Sequence, residues 1–548
     1  MTMNRLCSVL VPLLLTLAGC GGGGSDAGGT TPPPPPPPVT VTKAEAVQLL
    51  NQGGFGAIES DTQQVIALGL EGWIDDQMQK PVSLQLPHVQ SVPPPQFMFQ
   101  LQEDRVDIWF RNVVNGEDQL RQRVAFALSE ILVVSQLGAL AQAPFALADY
   151  YDVLARNAFG SYRTLLEEVT LHPAMGVYLS MLGNEKPNPA LNIRPDENYA
   201  RELMQLFSIG LVELNLDGTE KLDAFGQPIP TYDQATIEGF AHVYTGWTWA
   251  DSPSFEQARG TPATQVVPMQ LWPAYHDTGE KRLLNGVTLP AGQSGEQDLS
   301  DALDNIFEHP NVGPFIATRL IQRLVTSNPS PGYVSRVAAA FNNNGSGIRG
   351  DLGAVVKAIL LDPEARPDMA MDIDGKLKEP LLRLTQLFRA YNATSNSGRY
   401  PLVASYILFG QGPLQSPSVF NFFSPFYAPP GEIRDSGLVA PELGIATEYQ
   451  NTLFTNYMFG QVFGLNQTNQ SLGDDDVYLD FSEEMLIADD ADALIDLVAE
   501  KLLGGQISDT LRNEVGGMLA LIPETDTTVR AADAIYFVVT SPEFAYQR

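Results

Sequence analysis

Apolar residues recur along this chain at spacings of three and four, the pattern of helices with one buried face. Lys43 to Leu50 sets Ala46, Val47, Leu49 and Leu50 on one side, and Gly53-Gly54 ends the run. Asp104 to Val114 and Gln119 to Val134 are longer. In the second, Leu120, Val124, Ala127, Leu128, Ile131 and Leu132 form one stripe, with Arg121 and Arg123 off its centre. No series of alternating segments recurs every ~8–12 residues, as a sandwich or barrel requires. The pattern predicts a mainly α protein: a large multi-helix body with helix-pair packing, long loops and a minor β-hairpin.

Internal echoes support helix pairs. Leu165 to Leu182 and Leu303 to Leu320 each read as helix, His-Pro, helix, with His172-Pro173 and His309-Pro310 at the joints, where proline suits a first helical turn. Asp362-Pro363-Glu364 and Ser541-Pro542-Glu543 follow apolar runs, and Asp362 and Ser541 are expected N-caps. These echoes are too short to define a repeat period.

The first forty residues lack this pattern. A single positive charge at Arg5 precedes an apolar run, Leu6 to Ala18, too short to span a bilayer, which takes about 20 residues. The run closes on Leu17-Ala18-Gly19-Cys20, which resembles the lipobox of bacterial lipoproteins. That resemblance implies a signal peptide at 1–19, removed in the mature protein, and a lipid on Cys20 holding the chain to a membrane. With Gly21 rather than aspartate after Cys20, it implies the outer membrane, or the periplasmic side, in a Gram-negative host. Residues 20–42 form a tether, flexible at Gly21 to Gly24 and stiff at Pro32 to Pro38, where consecutive prolines adopt polyproline II. The helical body then occupies 43–548.

Charge narrows the classes of partner. Acidic residues number 64 against 32 basic ones, a formal net charge of -32. Such a surface repels phosphate backbones, so nucleic-acid binding is not expected. Both cysteines lie within the first twenty residues, and the body has no disulfide.

Polar chemistry is densest after Pro195. Asp196 is the expected N-cap of a helix from Glu197 to Phe207, with Tyr199, Leu203, Leu206 and Phe207 on one face and Asn198, Arg201, Glu202 and Gln205 on the other. Glu197 and Arg201 are four apart and can pair. Thr231 to Gln234 has capping-box spacing and starts a helix on which Glu238 and His242 share a face. A loop with His276-Asp277-Thr278-Gly279-Glu280-Lys281 follows. Glu197, Arg201, Glu202, His276 and Asp277 are thus candidate catalytic residues, and Glu238, His242, His276 and Asp277 candidate ligands for a divalent metal, the one cofactor these side chains suggest. Glu280 and Lys281 are candidates for ligand binding, Lys281 toward an anion. No HExxH, GxSxG, P-loop or paired CxxC motif fixes a reaction.

Three further features have plainer readings. Glu213, Asn215 and Asp217 before Gly218 imitate a calcium loop, but its twelfth position is Ala224, so a hairpin or simple loop is expected. Asp474 to Asp476 with Asp480 reads as an exposed acidic loop. Phe420, Phe422, Phe423, Phe426 and Tyr427 form either an aromatic platform or a loop packed on the core.

Glu197 to Phe207, Thr245-Gly246-Trp247, His276 to Lys281, His309-Pro310-Asn311, Lys378-Glu379-Pro380, Gly410-Gln411-Gly412-Pro413 with Ser416-Pro417-Ser418-Val419, and the closing Ser541-Pro542-Glu543-Phe544 come in an order that resembles the bacterial family DUF1800, a domain of unknown function, over residues 43 to 548. Asn421-Phe422-Phe423-Ser424-Pro425 stands where many members carry Gly-Trp-Pro. The resemblance implies a predominantly helical exported protein, often encoded beside an exported partner related to phosphatases and sulfatases; it brings no established activity. Two functions are carried forward: a lipid-anchored envelope scaffold or partner-binding protein, which is favoured, and a hydrolase or metal-assisted enzyme acting on an envelope polymer or a phosphate or sulfate ester.

Overall fold

Helix starts in this chain are made by side chains that accept the unpaired N–H groups of a first turn. Thr42 and Glu45 cap the helix Lys43–Gly53 reciprocally, Glu45 N donating to Thr42 Oγ1 at 3.2 Å and Thr42 N to Glu45 Oε2 at 2.8 Å. Asp362 and Ser541 cap as expected. At the first His-Pro joint the imidazole is the cap, Nδ1 of His172 accepting from Ala174 N at 3.1 Å; at the second, Nδ1 of His309 accepts from Asn311 N at 3.2 Å and closes the turn before the helix. Pro173 opens the helix Pro173–Tyr178, whereas Pro310 stays in the turn before Val312–Leu324.

The computed structural model describes residues 41–366, 375–465 and 472–547. The expected signal peptide, the expected lipidation site Cys20 and the expected tether as far as Thr40 lie outside the described residues. The fold is mainly α. Strands among the described residues are three two-residue antiparallel pairs and isolated bridges. Three such bridges, Val212 with Pro230, Leu214 with Glu220 and Leu222 with Pro228, make the segment after Gly210 a hairpin-like loop; Asp217 accepts from Thr219 N there at 3.0 Å. No helix among the described residues is long and apolar enough to cross a membrane.

At the centre runs the helix Gln119–Ser129, buried at every position except Arg121 and packed against Lys43–Gly53, Glu59–Gln79, Leu101–Asn115, Pro144–Arg156 and Val312–Leu324. Leu120, Val124, Phe126 and Leu128 each contribute roughly 1.5–3 kcal/mol by leaving water. The expected stripe to Val134 is one helix plus the turn after it. Glu130 N and Ile131 N bond back to Ala127 and Leu128 at 3.3 and 3.1 Å, tightening the ladder, and Ile131 to Val134 stay buried outside the helix. That early ending puts Glu130 at the helix C-terminus, inside the protein.

Two distant motif blocks also meet. The strand Lys376–Leu377 pairs with Tyr546–Gln547, and Lys378 Nζ lies 4.2 Å from the centroid of the Phe544 ring. The chain's end thereby fixes the segment that delivers Lys376 and Glu379 to the interior.

Candidate functional site

The polar helices expected to carry chemistry are close to their expected bounds. Asn198–Gln205 begins after Glu197, with Asp196 Oδ1 accepting from Asn198 N at 2.8 Å. Gln234–Val243 is capped by Asp233, not Thr231, because the Thr231 hydroxyl donates to Gly210 O at 2.6 Å while Asp233 Oδ1 accepts from Thr236 N at 2.9 Å. Arg201 pairs with Glu197 at 2.9 Å. Gln234 Nε2 donates to both Glu197 carboxylate oxygens, at 3.0 and 3.1 Å, and to Glu238 Oε1 at 3.4 Å. His242, two turns further along that face and ~12 Å from the Gln234 level along the axis, is bonded through Nδ1 to Asp277 Oδ2. These residues form a chain of pairs along one helix face. Among the described residues no three His, Cys, Asp or Glu side chains are grouped to hold a metal ion.

Of the remaining candidates, His276 and Lys281 are drawn inward by Asp298. His276 is buried, with Nδ1 3.0 Å from Thr245 O and Nε2 2.9 Å from Asp298 Oδ2. Lys281, also buried, pairs with the same Asp298 oxygen at 2.6 Å and donates to Gly279 O at 2.9 Å. With both ring nitrogens facing protein acceptors, His276 offers no open position to a metal, and the Lys281 ammonium is already matched by a carboxylate. Burial resists ionisation of Asp298, but His276 and Lys281 outweigh it and hold its carboxyl below the usual range. Glu280 is exposed. Glu202 points inward, where burial raises its carboxyl despite neighbouring Arg201, and its Oε2 receives no hydrogen bond.

A second, deeper assembly gathers residues that local pattern did not single out. Gln411 Nε2 donates to Glu379 Oε2 at 2.6 Å and to Glu130 Oε1 at 3.3 Å, and Asn421 Nδ2 donates to the same Glu130 oxygen at 3.2 Å. Lys376 lies between Glu379 at 3.3 Å and Glu442 at 3.0 Å, and its ammonium also donates to the Gln322 and Arg323 carbonyls. Arg323 Nε stands 3.7 Å from Glu130 Oε2, and Arg123 donates to Arg323 O at 2.6 Å. All of these side chains are buried. The loop bearing Gln411 is strained, with Leu414 at φ 53, a left-handed conformation that is costly for a bulky residue. Buried Arg105 holds it by donating to Pro413 O at 3.1 Å, while Leu414 O accepts from Gln136 N at 2.7 Å.

Electrostatics separates the two carboxyls of this network. Burial pushes Glu130 up to about 8, against the attraction of Arg323 and with help from Glu379, which is hydrogen-bonded to it. Burial also opposes ionisation of Glu379, but Lys376, Arg323 and Arg123 prevail and hold it low. Glu130 Oε2 accepts nothing, which is satisfied if that oxygen carries the proton and donates to Glu379.

Above Glu130 opens a cavity of ≈ 570 Å³, within the usual range for small-molecule sites. Its walls come from the end of the Asn198–Gln205 segment (Leu206, Ile209), from Val312–Leu324 (Phe315, Arg319, Arg323) and from the loop Val419 to Phe426. The aromatic loop divides its labour. Phe423 is buried beneath Arg323, whose guanidinium carbon is 4.6 Å from its ring centroid, whereas Phe420 and Phe426 are 57% and 70% exposed at the cavity mouth. Arg319 is held between two rings, 5.0 Å from Phe315 and 4.6 Å from Phe426.

A family model described as "Protein of unknown function (DUF1800)" matches residues 48–546, and the chain belongs to this family. No curated protein and no solved structure matches it.

Proposed function

We infer that this DUF1800 member is an exported, lipid-anchored cell-envelope protein that works by binding, as a scaffold for an exported partner of the phosphatase or sulfatase type, with the cavity above Glu130 as its recognition site. The lipobox-like Leu17 to Cys20 and the proline tether support the anchoring, and the order of the motif blocks supports the partner. The observation that carries the binding role is the cavity itself: apolar walls, an exposed apolar mouth at Leu211, Phe420 and Phe426, and a polar floor held rigid by buried hydrogen bonds. A rigid scaffold of helices with a recognition loop at its mouth suits selective capture.

The test is photolabelling of the full chain in membranes with a neutral diazirine-bearing dodecanol, followed by peptide mapping. Adducts should fall on the segments around Leu206 to Leu211 and Val419 to Phe426, and Thr318→Trp, which fills the cavity, should remove them. Adducts unaffected by Thr318→Trp would sink the cavity reading.

One observation favours the hydrolytic alternative. Burial that raises Glu130 beside a Glu379 held low by Lys376, Arg323 and Arg123 gives the divided carboxyl pair that acid–base catalysis uses, at the floor of the cavity. On that reading Glu130→Gln abolishes turnover of a phosphate or sulfate ester or an envelope polymer, yet leaves photolabelling unchanged.

A further inference from the structure

Four ionisable groups line the cavity: Glu130, Glu220, Arg319 and Arg323. Glu220 is exposed at the rim. Glu130 is buried at the floor and bound to Gln411 and Asn421. The two guanidiniums sit one turn apart on the same helix, where like charges repel. Arg319 makes no ion pair among the described residues; its one side-chain hydrogen bond goes to Gln322 Oε1 at 2.9 Å. The nearest carboxylate oxygen to Arg323 is the Glu130 oxygen at 3.7 Å, beyond hydrogen-bond length. Phe315 and Phe426 flank the Arg319 guanidinium at 5.0 and 4.6 Å from its carbon and satisfy none of its N–H groups, of which Gln322 takes one. Arg319 therefore presents to the cavity a positive charge with no carboxylate partner among the described residues, while Arg323 is matched in part by Glu130 and Glu379, in a chain whose net charge is -32.

The surrounding walls are apolar. Leu206, Ile209, Phe315 and Val419 offer nothing to a hydrated ion. A ligand gains here only if it buries an apolar body and an anionic head together.

We propose that this cavity binds an anionic amphiphile, a molecule with an apolar body and one carboxylate, phosphate or sulfate head, and that the head sits on Arg319 and Arg323. This rests on the binding reading above and names the class of group the site accepts. The head relieves the repulsion between the guanidiniums, and each hydrogen bond it accepts from them is charge-assisted. The body replaces water against the aliphatic wall. Glu130 remains part of the floor.

The experiment compares two photoprobes, diazirine-bearing dodecanoate and diazirine-bearing dodecanol, on the full chain in membrane vesicles, with adducts mapped by peptide. The acid should label the cavity segments about tenfold more than the alcohol, the size of one charge-assisted contact. Unlabelled dodecanoate should compete; acetate and inorganic phosphate at the same concentration should not. Arg319→Met keeps an unbranched stem against the phenylalanines and removes one of the two charges, and should lower the ratio of acid to alcohol labelling several-fold; an unchanged ratio in the folded variant overturns the seat on Arg319. Should that variant not fold, the ratio of acid to alcohol in the wild type still decides the matter. Equal labelling by acid and alcohol in the wild type overturns the anionic head and leaves the cavity reading standing. Competition by acetate or inorganic phosphate as strong as by dodecanoate overturns the apolar body. No labelling of these segments by either probe overturns this proposal and the binding reading together.

Discussion

Glu130→Gln isolates the proton that burial places on Glu130. A glutamine amide has the shape of the protonated acid: its oxygen can accept from Gln411 and Asn421, and its N–H can donate to Glu379 where the acid proton does. Below the ordinary value of 4.5, the wild-type carboxyl is protonated in the folded and unfolded chains, and the two proteins differ only by small packing terms. As pH rises past 4.5 the unfolded chain releases the proton while the folded chain keeps it, so wild-type stability falls; the fall ends near 8, where the folded carboxyl also ionises. Glutamine has no proton to release. Its stability relative to wild type should therefore climb with pH across this window by up to ~1.4 kcal/mol per pH unit, the free energy of one pKa unit. Urea unfolding of both proteins at several pH values between about 5 and 8, with equal slopes in denaturant, reads the difference directly. A difference that is flat, or that falls with pH, would show that Glu130 is ionised in the folded protein and refute the division of charge between Glu130 and Glu379.

Other expected outcomes address the remaining sites. Asp298→Ala leaves the Lys281 ammonium buried without its counter-charge and should cost about 3–5 kcal/mol in urea unfolding. Asp277→Ala removes the acceptor for Gly279 N at 2.7 Å and the partner of His242, costing about 1–2 kcal/mol. Because the Asp277 carboxyl is held below its ordinary 3.8, where hydrogen bonds from Gly279 and His242 outweigh burial, that cost should be present at neutral pH and vanish as pH falls through the folded-state value. Cys20→Ala should leave a larger precursor that incorporates no labelled fatty acid, and labelling equal to wild type would remove the lipid anchor from the proposed function.

Periodicity exposed much of the fold because a helix's buried face is written within a few residues. The caps at Asp362 and Ser541 and the helix break at His172-Pro173 needed only neighbours in sequence. Where two local signals competed, the nearer hydrogen bond did not always win. Thr231 had the spacing of a cap, but Gly210 O, twenty-one residues away in sequence, captured its hydroxyl, and Asp233 took the helix start. His276 to Lys281 looked like reactive chemistry because its side chains are polar and adjacent. Asp298, on the following helix, turned two of them into a buried ion network.

The deeper assembly was illegible for a different reason. Arg123 lies off the centre of an apolar stripe and Glu130 falls within the run expected to reach Val134, which in isolation reads as the edge of a helix face; the meaning of Glu130 depends on Gln411, separated from it by 281 positions. Charges buried at this depth are tolerated only in company, since each alone would lose several kcal/mol of hydration. Glu130, Glu379, Lys376, Arg323 and Arg123 must therefore assemble together or not at all, and no segment of the chain carries the constraint by itself. Arg319 and Arg323 are two like charges one turn apart on one helix, an arrangement that costs stability unless something else supplies the opposite charge. In the folded protein Glu130 and Glu379 supply part of it to Arg323, and no carboxylate among the described residues pairs with Arg319. That residual imbalance, facing an apolar cavity, is the physical basis for assigning the missing charge to a ligand.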